Sequence, residues 1–225
     1  DCLIAVGGDG SLEIAYKFFQ KGMPVVGVPK TIDNDLGGTV VTFGFDTAVS
    51  TATEAIDRLH STARSHERVI VVEVMGRHAG WIALNSGISG AAKVILIPEI
   101  PFTLEGFLGS LEERLDRKGH AVIVVGEGAG QDLMQGTHER DASGNIRFGD
   151  IGIFLRDRIN AHFKELGKEM NLKYIDPSYT IRSVPANAHD SAFCLFLGQN
   201  AAHAGMAGRT NMVVGDWGGA FIHVP

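Results

Sequence analysis

Short apolar runs alternate with amphipathic stretches along the whole chain. That alternation predicts strands and helices in β-α-β order, with parallel sheets and ligands at the C-terminal ends of the strands. "CLIAV" is a buried strand that runs into glycines. From Ser11 to Gln20, Leu12, Ala15, Phe18 and Phe19 share one helical face, with Gly22 as the stop signal. "VVGV" is the next strand, followed by a loop over Pro29–Asp35. "DTAVSTATEAIDRLHSTARSH" repeats Val49, Ala52, Ile56 and Leu59 at helical spacing. "VIVVEVM" is a strong strand, and a loop and helix follow it over "GRHAGWIALNSGISGAA". "KVILIPE" and "HAVIVVGEGAG" are strands, and between them lies a helix with Thr103 as N-cap and Glu105 in its first turn. "HERDASGNIRFG" reads as a polar surface turn or hairpin, and Ile151 to Leu166 as a helix. "IDPSYTIRSVPANAHD" reads as a long loop, "SAFCLFLGQNAAHAGMAG" as a mostly buried helix, and "MVVG" and "FIHV" as final strands.

Composition narrows the class. The chain has 225 residues and is 44% hydrophobic, enough for one or two domains with a sizeable core. Its formal charge is -6, with 26 acidic against 20 basic residues and no basic run. That argues against a nucleic-acid or membrane-surface partner. Cys2 and Cys194 are far apart and fit no metal spacing, which suits a reduced, cytoplasmic setting. No stretch is long and apolar enough for a membrane helix. The abrupt start and end, each inside a strand pattern, read as an internal piece of a longer chain.

Two loops carry candidate chemistry. In "VGGDGS", a strand, Gly7-Gly8-Asp9-Gly10-Ser11 and a helix put backbone N–H groups at a helix N-terminus, an arrangement that attracts phosphate. Asp9 would repel bare phosphate, so its natural role is to hold Mg²⁺. The plainer alternative is a tight turn with Ser11 as N-cap. In "TIDND", Thr31 to Asp35, two carboxylates and a hydroxyl follow another strand. One carboxylate suits proton removal from an attacking alcohol, and the other suits orientation or metal. A solvated Asx-type turn is the plainer alternative. The histidines, among them His60, His66 and His78, form no metal constellation and read as surface or local hydrogen-bonding groups.

The motifs "GGDGS", "PKTIDND", "TFGFDTA", "AIDRL", "VVEVMGRHAG", "GEGAGQD", "IDPSYTIRSVPANAHD" and "GMAGRT", in that order, resemble the 6-phosphofructokinase family over nearly the whole chain. The resemblance implies Asp9 as the Mg²⁺-organising acid, with Gly8, Gly10, Ser11 and Lys30 at the donor phosphates. It implies Asp33 as the general base for the 1-hydroxyl of fructose 6-phosphate, with Asp35 as a supporting acid and Thr31 and Ile32 beside the substrate. Met75, Gly76 and Arg77 would line the sugar site, with Arg77 on the transferring phosphoryl group and Glu127 on sugar hydroxyls. Arg68 would reach across a subunit interface to the 6-phosphate, whose pocket Lys173, Tyr179, Thr180, Ile181 and Arg182 complete. Taken singly, each has a plainer role. Arg68 suits a helix C-terminal cation, Glu127 a glycine turn and Met75 the core, while Tyr179 and Arg182 suit a loop anchor.

In that family a second aspartate in place of Gly10 marks pyrophosphate users, whereas Lys30 is compatible with either donor. The expected reaction is therefore ATP-dependent phosphorylation of fructose 6-phosphate. The alternatives are a pyrophosphate-dependent transferase and a non-catalytic subunit of the same fold; a lipid or NAD kinase would share only "GGDGS". The expected architecture is α/β, with two Rossmann-like domains, mainly parallel sheets flanked by helices, and an active site between them. Residues 1–44 and 182–225 would form the donor domain and 45–181 the sugar-phosphate domain, in a homodimer or homotetramer.

Overall fold

The computed structural model describes residues 1–134 and 147–225. The elements in chain order are β1 (Leu3–Gly7), α1 (Asp9–Gln20), β2 (Val25–Thr31), β3 (Phe43–Gly44), α2 (Phe45–Ser65), β4 (Arg68–Val74), α3 (Trp81–Ser89), β5 (Val94–Leu96), α4 (Leu104–Lys118) and β6 (Ala121–Gly126). A 3₁₀ turn (Gln131–Leu133) comes next, then α5 (Ile151–Glu165), β7 (Asn171–Ile175), α6 (Ser178–Ile181), α7 (Ala188–Met206), β8 (Met212–Trp217) and β9 (Ala220–Val224). The chain divides into two α/β units, one of Asp1–Ala48 with Val184–Pro225, the other of Val49–Ser183.

In the first unit the strand order is β1-β2-β8-β9, with β3 added to the end of β2. β1, β2 and β8 are parallel, and β9 closes the sheet as an antiparallel hairpin with β8. Val26 and Val28 meet Leu197, Ala201 and Ala204 of α7 on one face. Leu12, Ala15 and Phe19 of α1 lie beside Val25, Gly27 and Val213 on the other. The period-2 alternation of β2 thus feeds two helical layers.

The second unit has an all-parallel sheet in the order β5-β6-β4-β7. Val69 and Val71 join Ile123, Leu111, Leu155, Ile159 and Phe163 under α4 and α5. Ile70, Val72, Ile82 and Ile56 are also buried. A strand covered on both faces reads as a continuous apolar run, which is why β4 and β6 are so legible. Each fully buried side chain of this size stabilises by about 1.5–3 kcal/mol relative to exposure. Thr103 caps α4 as expected, its hydroxyl accepting from Gly106 N at 3.2 Å.

Several expectations change. β2 runs on through Pro29 to Thr31, so the loop begins only at Ile32. Beyond Pro29, which lies opposite Gly7, the strand finds a new partner in β3. Gly8, not Ser11, is the N-cap of α1, and Ser11 lies inside its first turn. Phe18 is 45% exposed rather than core-facing. The segment read as one long loop contains α6, and the unforeseen strand β7 precedes it. α7 buries only Asp190, Leu197, Ala201 and Ala204, leaving Leu195, Phe196 and Met206 exposed. The expected turn at "HERDASGNIRFG" falls, apart from its last three residues, outside the described residues.

Candidate active site

The first unit places both phosphate-type loops at the C-terminal ends of adjacent parallel strands. Gly7 must be glycine, because a Cβ there would come within 2.4 Å of Ser11 Cβ. The close approach folds the loop directly into α1. Asp9, Gly10 and Ser11 are then the first three helical residues, whose N–H groups have no acceptor within the helix. Gly8 lies against β2, where a Cβ would sit 3.5 Å from Thr31 Cβ, so the two loops touch. At Gly10 a Cβ would meet nothing within 4 Å. Lys30 is exposed at the end of β2, opposite Phe43. The Asp33 N–H donates to Thr31 Oγ1 at 3.2 Å, and Asp33 and Ile32 are half-buried while Asp35 is exposed.

Among the described residues no group of three or more His, Cys, Asp or Glu is placed to hold a metal. Mg²⁺ asks for less than that. It binds through one or two carboxylates plus substrate phosphates, and the exposed carboxylate of Asp9 beside free helix N–H groups fits such a donor set.

In the second unit the turn after β4 and the loop after β6 meet. Glu127 Oε1 accepts from Gly76 N at 3.1 Å and from Arg77 N at 2.7 Å. Gly76 has φ +144 and Arg77 φ +52, conformations that an L side chain rarely adopts. The carboxylate therefore ties down a strained turn and sets where Arg77 leaves the backbone. Arg77, Glu127, Glu73, Arg147 and Asp150 line a cavity of about 220 Å³. Met75 is half-buried beside this turn.

Glu73 lines the same cavity and was missed in the sequence. Its Oε2 accepts from Tyr174 Oη at 2.8 Å and from Gly152 N, in the first turn of α5, at 3.0 Å. Burial pushes this carboxyl above the usual carboxylate range, against the lowering effect of the Tyr174 and Gly152 bonds. Burial first, then the bond to Glu73, pushes the Tyr174 hydroxyl up. The available signal was one carboxylate inside the apolar run "VIVVEVM".

The remaining predicted residues are spread out. Tyr179, Thr180 and Ile181 belong to α6, where Ile181 is buried and Tyr179 is 82% exposed, with Arg182 at its C-terminus. Lys173 is an exposed mid-strand residue of β7, opposite Ile70. Arg68 begins β4, at the end of the sheet away from Arg77, and its Nη1 donates to Thr62 Oγ1 at 2.7 Å. Six strand steps separate Arg68 from Val74, about 20 Å. The structure does not bring Arg68 to the Arg77–Glu127 cavity. His60 Nε2 lies 2.5 Å from Gly90 O, 30 positions away in sequence.

Each unit is α/β with a mainly parallel sheet, and in each the candidate residues follow the C-terminal ends of its strands. The sequence signature described as Phosphofructokinase matches residues 1–205. The chain is 46% identical over 248 residues to an ATP-dependent 6-phosphofructokinase of Amycolatopsis methanolica, covering all of this chain and 53% of that protein. It is 47% identical over 228 residues to a pyrophosphate–fructose 6-phosphate 1-phosphotransferase of Amycolatopsis mediterranei, covering all of this chain and 65% of that one. Its fold superposes on the phosphofructokinase structure from Saccharomyces cerevisiae with a TM-score of 0.82 at 28% identity, over all of this chain and 32% of that one. The chain belongs to the phosphofructokinase family, and it spans about half to two thirds of the length of these curated relatives.

Proposed function

We propose that the intact protein is an ATP-dependent 6-phosphofructokinase that transfers a phosphoryl group to the 1-hydroxyl of fructose 6-phosphate. The observation that carries the acceptor half of this reading is the Glu127 clamp on the backbone of Arg77, both residues lining one small polar cavity. A sugar phosphate needs that pairing of a carboxylate for hydroxyls with a guanidinium for phosphoryl oxygens. Glu127 uses Oε1 for the turn and leaves Oε2 for a sugar hydroxyl. Arg77 offsets charge that spreads over the equatorial oxygens during transfer, an effect worth roughly 10³–10⁵ in rate where an arginine supplies it.

Asp33 takes the proton from the attacking hydroxyl, and Asp35 is the supporting acid beside the transferring group. Gly8, Gly10 and Ser11 offer N–H groups to the donor phosphates. Asp9 is the residue that would hold Mg²⁺, which when bound neutralises phosphate charge. Arg68, Lys173, Tyr179 and Arg182 serve the 6-phosphate, Arg68 from a second subunit. The open space at Gly10 supports ATP as the donor.

Pyrophosphate is the second reading. It is favoured by the exposed Lys30 and by the A. mediterranei relative's name. Assay of the intact protein with fructose 6-phosphate, Mg²⁺ and each donor separately decides between them. Turnover with ATP is expected; robust turnover with pyrophosphate and none with ATP would overturn the donor assignment.

A further inference from the structure

We infer that Asn34 and Thr42 are positioning residues for Asp33, forming a clamp that holds the carboxylate loop in its reactive shape; this rests on the reading of Asp33 as the base. Asn34 stands between the two acids with φ +53. Its Oδ1 accepts from Thr42 N at 2.9 Å, and its Nδ2 donates to Val40 O at 3.1 Å. One side chain thus spans the loop and closes it on itself. Thr42 is completely buried, and its hydroxyl donates to Thr31 O at 2.7 Å, on the strand that delivers Asp33. Thr31 Oγ1 in turn accepts from Asp33 N.

The far side of the clamp is also fixed. Gly44 N and Thr47 N donate to the buried carboxylate of Asp190, at 3.1 and 2.8 Å. Val40 N donates to Asp216 O at 2.8 Å. The segments at Val40, Gly44 and Thr47 are therefore bonded to the sheet or to α7, and Asn34 ties the loop internally to Val40 and Thr42. An ordinary surface turn does not bury a threonine to fasten an asparagine between two acids. A base that must meet one hydroxyl within hydrogen-bond reach gains from such a tie, since misplacement by about 1 Å costs on the order of 10²-fold in rate.

The test uses the intact protein, with Thr42→Val, Thr42→Ser, Asn34→Gly and Asp33→Asn measured side by side. Asn34→Gly keeps the positive φ accessible while removing the amide. It reads the clamp from its exposed end should Thr42→Val fail to fold. Thr42→Val and Asn34→Gly are each expected to lower kcat roughly 10–100-fold. KM for fructose 6-phosphate should stay within about twofold, and Thr42→Ser should restore kcat. A folded Thr42→Val or Asn34→Gly protein with wild-type kcat overturns the inference, whether or not its stability or KM has changed. If Asp33→Asn is also fully active, the base assignment falls with it; if Asp33→Asn is inactive, only the clamp falls.

Discussion

Asp190 is fully buried, and the cost of removing it can be worked from its three bonds. Oδ1 accepts from Gly44 N at 3.1 Å, while Oδ2 accepts from Thr47 N at 2.8 Å and from the Thr47 hydroxyl at 2.5 Å. Gly44 and Thr47 lie at the start of α2, so the carboxylate also faces the positive end of a helix. Asp190→Ala strands three donors, each worth about 1.5–3 kcal/mol when bonded to a charged group. Neighbouring bonds do not add in full. The expected net loss is about 3–6 kcal/mol, out of a typical total of about 5–15. Asp190→Asn keeps one oxygen but turns an NH₂ toward a donor, for a loss of about 1–3 kcal/mol. Urea unfolding of the three proteins should rank them wild type, Asn, Ala. Thermal melts should follow at about 2–4 °C per kcal/mol. An alanine variant within about 1 kcal/mol of wild type would show that water or rearrangement satisfies these donors, and would refute the reasoning.

Two further outcomes follow from single side chains. Gly10→Asp finds open space, so it should fold normally while like-charge repulsion lowers kcat/KM for ATP by roughly 100-fold; unchanged ATP kinetics would sink the exclusion argument. Glu73 has a folded-state pKa raised by burial, so the native state binds more protons than the unfolded chain between the ordinary and the raised values. Stability should therefore fall as pH rises through that window and level off above it. Glu73→Gln should remove the slope, and melting curves of the two proteins that stay parallel from pH 4 to 8 would contradict it.

The most legible elements have both faces covered, or an end that carries a capping residue. β4 and β6 announce themselves as unbroken apolar runs, and α4 by Thr103. β7 was illegible because no apolar run marks it. "NLKYI" alternates exposed and half-buried residues and so looks like loop. Pro29 looked like a strand terminator, but it falls at the last rung shared with β1, where the strand changes partner. The candidate site divides the same way. Acid- and glycine-rich loops stand out because their chemistry is unusual at strand ends. Asn34, Thr42 and Asp190 did not stand out, because their meaning lies in partners; Asp190 meets Thr47 across 143 positions of sequence.

Arg68 raises the sharpest question about assembly. It starts β4, whereas Arg77 follows the other end of the same strand, and no side chain bridges the roughly 20 Å between them. If Arg68 serves a 6-phosphate, that phosphate belongs to a site on a second subunit. Two inactive variants then make a clean test. Asp33→Asn spoils the base of its own site but still lends a sound Arg68, while Arg68→Ala spoils the partner's phosphate pocket but keeps its own base. In a mixed dimer one site receives both defects and the other receives neither. Equal mixing after reversible dissociation, or co-expression, should therefore recover about a quarter of wild-type activity from two nearly inactive proteins. No recovery, with mixed dimers demonstrated by differential tagging, would confine Arg68 to its bond with Thr62 and to the support of β4 against α2.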